Sequence, residues 1–247
     1  MLNYIFLGIV QGITEFLPIS SSGHLVLIQR LLGVGGEELG LTLILHLGSI
    51  LAVVIFFFQD ILAALRDTRT LWLIFIATLI TGVVGFFARG FFEALFTAYS
   101  LVALALIVNG IILIFAQRFI NSQRKIIGVK DAIIAGLAQA IAIIPGISRS
   151  GLTISALLFR KVERQTSFKF SFIILIPAIA GATILQIKRI SFSLQGNLFN
   201  LAAGFIASLI SGLFALWLLK LILERTKLHY FGYYCILLGM INLLFFR

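Results

Sequence analysis

The chain has 247 residues, of which 61% are hydrophobic and only 11% are charged, and its mean hydropathy is +1.14. Soluble globular domains do not reach such values, so the composition excludes a soluble protein and predicts a membrane-embedded one. The net charge of +10 comes from 19 basic residues in mostly short loops, without the continuous basic face of a nucleic-acid-binding protein. The single cysteine, Cys235, excludes an intramolecular disulfide, and we expect it to be a packing residue.

Two apolar segments are interrupted by a polar motif. Residues 4–32 are broken by PISSSGH at 18–24, and residues 131–159 are broken by PGISRSG at 145–151. Each half is too short to cross a bilayer, and Pro with Gly and Ser breaks a helix, so we expect two re-entrant helical hairpins. Residues 1–10 carry no Lys or Arg, and we therefore expect no cleaved signal peptide.

Six other apolar stretches have the length of about 20 residues that spans a bilayer. They lie near residues 41–58, 71–88, 97–117, 168–187, 198–219 and 228–246. Aromatic residues fall close to the predicted span ends, which is typical of an interfacial belt and needs no catalytic explanation. They are Trp72, Tyr99, Trp217, Tyr230, Tyr233 and Tyr234.

The two broken segments are related by an internal repeat. A shift of 128 residues aligns Gly8, Gln11, Ile13, Ile19, Ser20, Ser22 and Gly23 with Gly136, Gln139, Ile141, Ile147, Ser148, Ser150 and Gly151. Each repeat, about 1–117 and about 129–247, is one hairpin followed by three crossings, and an odd number inverts the topology. We predict a single all-α transmembrane domain with six transmembrane helices and two re-entrant hairpins that meet near the midplane.

Basic residues predict the orientation of this domain. With both termini on one face, that face holds Arg30, Arg89, Lys188, Arg189 and Arg247, and the other holds thirteen basic residues, with Arg149 left out as buried. The positive-inside rule then places the termini outside the cytoplasm. The loops 118–130 and 160–168 are expected to face the cytoplasm.

The first hairpin carries a carboxylate and a histidine. Gln11 and Glu15 are four residues apart and share one helical face. A carboxylate at this depth costs about 2.5 to 3.5 kcal/mol and usually faces a cavity, although a structural glutamate is the alternative. Ser20, Ser21 and Ser22 can cap the outgoing half-helix, whose amino end binds anions. Ser21 and His24 are three apart and could meet as nucleophile and base, although such serines often serve packing.

The second hairpin carries an arginine instead. Ser148, Arg149, Ser150 and Thr153 open its second half-helix, and a guanidinium in this apolar segment favours a bidentate oxyanion. Gln139, the counterpart of Gln11, is assigned to the same substrate-binding set. The first hairpin therefore resembles an acid/base and metal half, and the second a phosphate clamp. Two further histidines remain: His46 is a secondary candidate for lining the site, and His229 is expected to lie outside it.

The motifs QGITEFLPISSSGH at 11–24 and PGISRSGLT at 145–153 closely resemble the two signature motifs of bacterial undecaprenyl-diphosphate phosphatases, the bacitracin-resistance family. The stretch LGSILAVV at 47–54, the chain length and the motif separation are also similar to that family. The resemblance implies hydrolysis of undecaprenyl diphosphate to the monophosphate, which recycles the lipid carrier of cell-wall synthesis. It also implies a divalent cation and a plasma-membrane site that opens on the extracytoplasmic side.

Carried over by motif position, the resemblance implies Glu15 as an essential acid, Ser21 as a candidate nucleophile and His24 beside it. It implies a phosphate-binding set formed by Ser148, Arg149, Ser150 and Thr153. Ser20 and Ser22 are assigned to substrate binding by their place at the amino end of the first outgoing half-helix. Gln11 stands where the family often has glutamate and still offers an oxygen. Mg²⁺ or Ca²⁺ on Glu15 and Gln11 suits these hard ligands. Serine, histidine and water all remain open as the nucleophile.

Two other functions are consistent with parts of the sequence. A polyprenyl-phosphate transporter or flippase would share the inverted repeat and broken helices, but it needs no nucleophile. The phosphatidic-acid-phosphatase superfamily uses a second downstream histidine, whereas this chain has no His between residues 47 and 228. The sequence leaves the prenyl chain-length preference open, and it leaves both a monomer and a homodimer open.

Overall fold

The computed structural model describes residues 1–31, 39–95, 98–187 and 198–245. Within these ranges the protein is helical, and its β-type backbone pairing is limited to one isolated bridge between Arg124 and Val162. The helices are α1 Leu2–Phe16, α2 Ser21–Leu31, α3 Leu39–Phe56, α4 Phe58–Arg66, α5 Thr68–Phe87, α6 Arg89–Leu95, α7 Tyr99–Ala116, α8 Val129–Ile141, α9 Arg149–Phe159, α10 Arg164–Ile187, α11 Leu198–Glu224 and α12 His229–Phe245.

Four of the described helices, α5, α7, α10 and α11, are long and apolar enough to cross a membrane. The pair α3 and α4 qualifies as a fifth span if it is taken together, although it bends by 72° between the two helices. The stretch expected to form the sixth span gives a shorter apolar helix, 229–244. These helices confirm a polytopic all-α membrane protein with four to five spans. Of the residues counted for orientation, Lys188, Arg189 and Arg247 lie outside the described residues, as do the side chains of Arg30 and Arg89.

Both interrupted segments fold as two short helices around a break. The chain leaves the helix after Phe16 and re-enters it at Ser21, and it does the same between Ile141 and Arg149. Ser20 caps α2 by accepting the Gly23 N–H at 3.2 Å. The predicted positions of both breaks are therefore confirmed.

The cap of α9 repeats this arrangement, since Ser148 Oγ accepts the Gly151 N–H at 3.2 Å. The two caps differ in their backbone. Ser20 has a left-handed φ of 69°, whereas Ser148 has an ordinary φ of −80°. A left-handed residue with a Cβ costs roughly 1 to 2 kcal/mol, so the tip of the first hairpin is held under strain.

Each incoming half-helix packs closely on a long helix through small residues. A Cβ added at Gly8 would lie 2.4 Å from the carbonyl oxygen of Gly204, so α1 touches the backbone of α11. A Cβ added at Gly136 would lie 2.7 Å from the carbonyl oxygen of Ala77, so α8 touches the backbone of α5. Contacts of this kind let membrane helices pack without a hydrophobic driving force. They hold each hairpin against a long helix.

The tips of the two hairpins are in contact with each other. A Cβ added at Gly23 would lie 3.3 Å from Gly146 Cα, and one added at Gly151 would lie 3.0 Å from Pro18 Cβ. Asn109, buried in α7, joins both tips. Its Nδ2 donates to the Pro18 carbonyl at 3.0 Å, and its Oδ1 accepts the Ser148 N–H at 3.0 Å. The polar motifs thus face each other inside the helical protein.

Candidate active site

Glu15 is the centre of a polar cluster that combines both hairpins. It occupies the last turn of α1, and only 7% of its side chain is exposed. Its Oε1 lies 2.5 Å from Arg149 Nη2, at the start of α9. Its Oε2 accepts the Ser21 hydroxyl at 2.6 Å and the Gln11 Nε2–H at 3.1 Å. The predicted carboxylate and the predicted guanidinium therefore meet directly.

The ion pair between Glu15 and Arg149 explains how two charges are accommodated at this depth. Removing two charges from water is expensive, and a close hydrogen-bonded pair recovers much of that cost. Arg149 commits one nitrogen to Glu15, whereas a guanidinium carries five N–H donors in a planar fork. The side chain therefore keeps donors with which to bind a second oxyanion beside the carboxylate.

The structure gives Ser21 and His24 different partners from those expected. The Ser21 hydroxyl donates to Glu15, six residues earlier in the chain, because the turn after Phe16 brings the start of α2 back to the end of α1. His24 Nδ1 lies 2.7 Å from the Ser20 carbonyl, and Nε2 lies 2.7 Å from the Tyr234 hydroxyl. The expected Ser21–His24 pair is corrected to a Ser21–Glu15 pair.

His46 joins the same cluster from α3. Its Nδ1 lies 2.8 Å from the Thr42 carbonyl, which fixes the ring so that Nε2 points towards the site. Nε2 lies 3.8 Å from Glu15 Oε2. The secondary candidate from the sequence therefore lies at the carboxylate. His229, by contrast, contacts the rings of Tyr230 and Tyr233 on its own helix.

Of the serine and threonine residues expected to bind substrate, Ser22 is half-buried, and the others, Ser20, Ser148, Ser150 and Thr153, are buried. Ser150 lies 3.2 Å from the Ser148 cap, as Ser22 lies 3.2 Å from the Ser20 cap. Thr153 donates to the Arg149 carbonyl at 2.7 Å and contacts the Ser171 hydroxyl of α10. These contacts order the amino ends of α2 and α9, which favour anions.

Gln139 is held by helices other than those that contact Glu15. Its Nε2 donates to Thr81 Oγ1 at 3.1 Å and to the Ile174 carbonyl at 3.4 Å, on α5 and α10. Its contacts therefore anchor α8 rather than extend the cluster around Glu15. The assignment of Gln139 to substrate binding stays a prediction.

Gln11 and Glu15 carry side-chain oxygens that could serve as ligands of a divalent cation. Gln11 is fully buried, and its Oε1 has no hydrogen-bond partner among the described residues. Because Gln11 Nε2 faces the Glu15 carboxylate, a hard cation such as Mg²⁺ or Ca²⁺ would be shared by Gln11 Oε1 and Glu15 once the amide group turns over. Among the described residues no group of three or more His, Cys, Asp or Glu could hold a metal ion.

Sequence reasoning missed two residues of this region. Tyr234 was expected to be part of the aromatic belt, but it contacts His24 and stacks on its ring, with centroids 5.7 Å apart. Its distance of 210 residues from His24 left no local signal. Asn109 did leave a signal, because an amide in the middle of an apolar span usually has a functional or packing reason.

The fold and the cluster define a polytopic membrane protein whose two broken helical segments meet at a buried ion pair between Glu15 and Arg149. The model of the family described as "Bacitracin resistance protein BacA" matches residues 4–241, so the chain belongs to this family.

Curated relatives cover nearly the whole chain. An undecaprenyl-diphosphatase of Carboxydothermus hydrogenoformans is 40% identical over 244 residues, which cover 96% of this chain and 94% of that protein. An undecaprenyl-diphosphatase of Alkaliphilus metalliredigens is 39% identical, with 98% and 97% covered. One of Methanobrevibacter smithii is 40% identical, with 98% and 96% covered. The resemblance seen in the two motifs therefore extends along the entire sequence.

Proposed function

We propose that this protein is an integral membrane phosphatase that hydrolyses undecaprenyl diphosphate to undecaprenyl phosphate and inorganic phosphate. Family membership and the names of the curated relatives support this activity. The observation that carries it is the cluster in which Glu15 joins the Ser21 hydroxyl to the Arg149 guanidinium. It combines a nucleophile, a proton acceptor and an oxyanion clamp. The product would re-enter cell-wall synthesis as the lipid carrier.

Substrate binding follows from the electrostatics of the two tips. The terminal phosphate is held by the remaining donors of Arg149 and by the amino ends of α2 and α9, whose peptide dipoles favour anions. Phosphoryl transfer moves negative charge onto the leaving and equatorial oxygens, and preorganised donors stabilise that charge. The prenyl chain remains in the lipid phase, so the reaction needs no passage of the lipid through the protein.

Ser21 acts as the nucleophile in the proposed reaction. Its Oγ forms a bond to the terminal phosphorus, the bond from that phosphorus to the bridging oxygen breaks, and undecaprenyl phosphate leaves with that oxygen. The hydroxyl proton passes to Glu15, its hydrogen-bond partner at 2.6 Å. Water then attacks the phosphoserine, the proton returns to Ser21 Oγ, and inorganic phosphate is released. We assign His24, one turn further along α2, as the base that activates this water.

Gln11 Oε1 and Glu15 would hold a divalent cation. Bound there, Mg²⁺ or Ca²⁺ would neutralise phosphate charge. Gln11 brings an oxygen without a charge, so binding of the cation depends on the carboxylate of Glu15. Loss of activity with EDTA and its recovery with added Mg²⁺ or Ca²⁺ would support this role, whereas full activity in EDTA would exclude it.

The site is proposed to lie between inverted repeats in a six-span protein, with α3 and α4 as one span and α12 as another. Reciprocal contacts support this arrangement: Gly23 approaches Gly146, and their counterparts 128 residues away, Gly151 and Pro18, approach each other as well. A two-fold relation between the repeats produces such an exchange. The uneven distribution of basic residues favours termini and a site opening on the extracytoplasmic side of the plasma membrane.

This orientation can be tested by labelling. Ser122 lies in the loop 118–130, which we place in the cytoplasm. In a Cys235→Ser background, a cysteine introduced by Ser122→Cys should resist an impermeant maleimide in intact cells and react after permeabilisation. Labelling in intact cells would overturn the proposed orientation.

The activity itself is tested by phosphate release from the protein purified in detergent, where no transport can occur. We expect release from undecaprenyl diphosphate by the wild-type chain and loss of release in Glu15→Gln, because that variant lacks both the proton acceptor and the partner charge of Arg149. A flippase would need neither, and the contact between the Ser21 hydroxyl and Glu15 has no role in transport. Absence of release by the wild-type protein would contradict the proposed function.

A further inference from the structure

His24 is held between a backbone carbonyl and a tyrosine of the last helix. Its Nδ1 lies 2.7 Å from the Ser20 carbonyl oxygen, and its Nε2 lies 2.7 Å from the hydroxyl of Tyr234. The two rings are almost parallel, with an angle of 5° between their planes and centroids 5.7 Å apart. Both the hydroxyl and the ring of Tyr234 therefore contact the same imidazole.

These contacts determine which nitrogen of His24 carries the proton. A carbonyl oxygen only accepts hydrogen bonds, so Nδ1 must be the protonated nitrogen of the neutral ring. Nε2 then holds the lone pair, and the Tyr234 hydroxyl donates to it. The basic nitrogen thus faces the Tyr234 hydroxyl of α12, whereas the Ser21 hydroxyl is bonded to Glu15.

We propose that Tyr234 relays the proton of the attacking water to His24 in the hydrolysis step: the water's proton passes to the tyrosine oxygen as the hydroxyl proton of Tyr234 moves to His24 Nε2. A tyrosine hydroxyl suits this role because it both donates and accepts. It donates to Nε2 while the ring is neutral and accepts from Nε2–H once the ring has taken a proton. The hydrogen bond is kept in both protonation states, so the ring need not turn during the reaction. This inference rests on the proposed phosphatase activity and on the role of His24 in it.

The kinetic test compares Tyr234→Phe with Tyr233→Phe. Tyr234→Phe keeps the stacked ring and removes the hydroxyl. We expect kcat to fall about tenfold, equivalent to about 1.4 kcal/mol, with KM within about twofold of wild type. Tyr233 is exposed and its ring faces His229, so Tyr233→Phe should leave both constants unchanged. A Tyr234→Phe variant with kcat within about twofold of wild type would overturn the proposal.

A spectroscopic test detects the hydrogen bond between His24 and Tyr234 independently of enzymatic activity. The chain has three histidines, so ¹⁵N-histidine labelling gives three rings, which His46→Gln and His229→Gln assign. The His24 ring should show protonated Nδ1 and an unprotonated, hydrogen-bonded Nε2, and the Nε2 signal should shift in Tyr234→Phe while the other rings stay unchanged. A His24 ring with protonated Nε2, or one unaffected by Tyr234→Phe, contradicts the proposal. If the wild-type protein released no phosphate, the proposed function would be wrong, and the NMR signals would still test the contact between His24 and Tyr234.

Discussion

The two hairpin tips share a serine cap and differ in their chemistry. In both, a serine caps the outgoing half-helix by accepting the N–H three residues later, at 3.2 Å. The first tip adds Ser21 and the carboxylate of Glu15, whereas the second adds Arg149. Neither hairpin has the complete proposed site alone, because Ser21, the proposed nucleophile, and Arg149, the proposed clamp, both meet Glu15 at the contact between the hairpins. In the proposed repeat, the two serine-capped helix ends are similar, and the few side chains that differ between them carry the different proposed roles.

The hairpins also differ at their bases. Asp131, near the start of α8, pairs with Arg124 at 2.6 Å and with Arg160, which directly follows α9, at 3.0 Å. Burial alone would raise the pKa of Asp131, but hydrogen bonds from Arg124, the Gly128 N–H and Arg160 lower it to about 2. Asp131 therefore stays ionised and ties both legs of the second hairpin together. The counterpart of Asp131 in the first hairpin is Asn3, which carries no charge.

We expect the largest effect on activity at Arg149, which supplies the charge of the second hairpin tip. Arg149→Lys keeps the charge but loses the planar fork that can bind Glu15 and a phosphate together. We expect kcat/KM to fall by about 100-fold, as for the loss of a preorganised donor. Phosphate release by the purified variant measures this, with Arg118→Lys as the exposed control. Activity within about threefold of wild type would exclude the clamp.

We expect a smaller effect, on stability, at Asn109, which joins the two hairpin tips. Asn109→Leu leaves the Ser148 N–H without its partner, at a cost of about 1 to 3 kcal/mol, and leaves the Pro18 carbonyl with the Cys235 thiol as its donor. The thermal midpoint in detergent should fall, and activity with it. Asn242→Leu is the matched control, because Asn242 is equally buried but its amide has no partner among the described residues. Equal destabilisation of the two variants would refute the joining role of Asn109.

The parts of the site that the sequence predicted are those governed by local rules. The breaks, the serine caps and the starts of α2 and α9 follow from Pro, Gly and Ser within apolar segments. The meeting of Glu15 and Arg149 followed from the repeat, because inverted broken helices meet near the midplane. The pairing of Ser21 with His24, which was predicted from helical spacing, was wrong. The chain reverses between Phe16 and Ser21, and this reversal brings the Ser21 hydroxyl to Glu15. The contact between His24 and Tyr234 depends on long-range packing, which no spacing reveals.

The smallest predicted effect distinguishes the two caps. Ser20→Ala and Ser148→Ala should each lower stability by about 1 kcal/mol through loss of the cap. Glycine should recover about 1 kcal/mol relative to alanine at position 20, where φ is 69°, and only a few tenths at position 148, where φ is −80°. Thermal midpoints of the four variants measure this. If the Gly and Ala variants differed in stability by the same amount at both positions, the first tip would not be strained.

The account depends most directly on Ser21 as the group that attacks phosphorus. The decisive measurement is kcat for phosphate release from undecaprenyl diphosphate by Ser21→Ala, beside Ser20→Ala and Ser22→Ala as neighbouring controls. In-line attack requires one atom about 3 to 3.5 Å from phosphorus, and a neighbouring serine cannot replace it. We predict that Ser21→Ala falls below a tenth of the wild-type kcat while the two controls keep substantial activity. If Ser21→Ala keeps more than about a tenth, a loss of less than about 1.4 kcal/mol, serine is not the nucleophile.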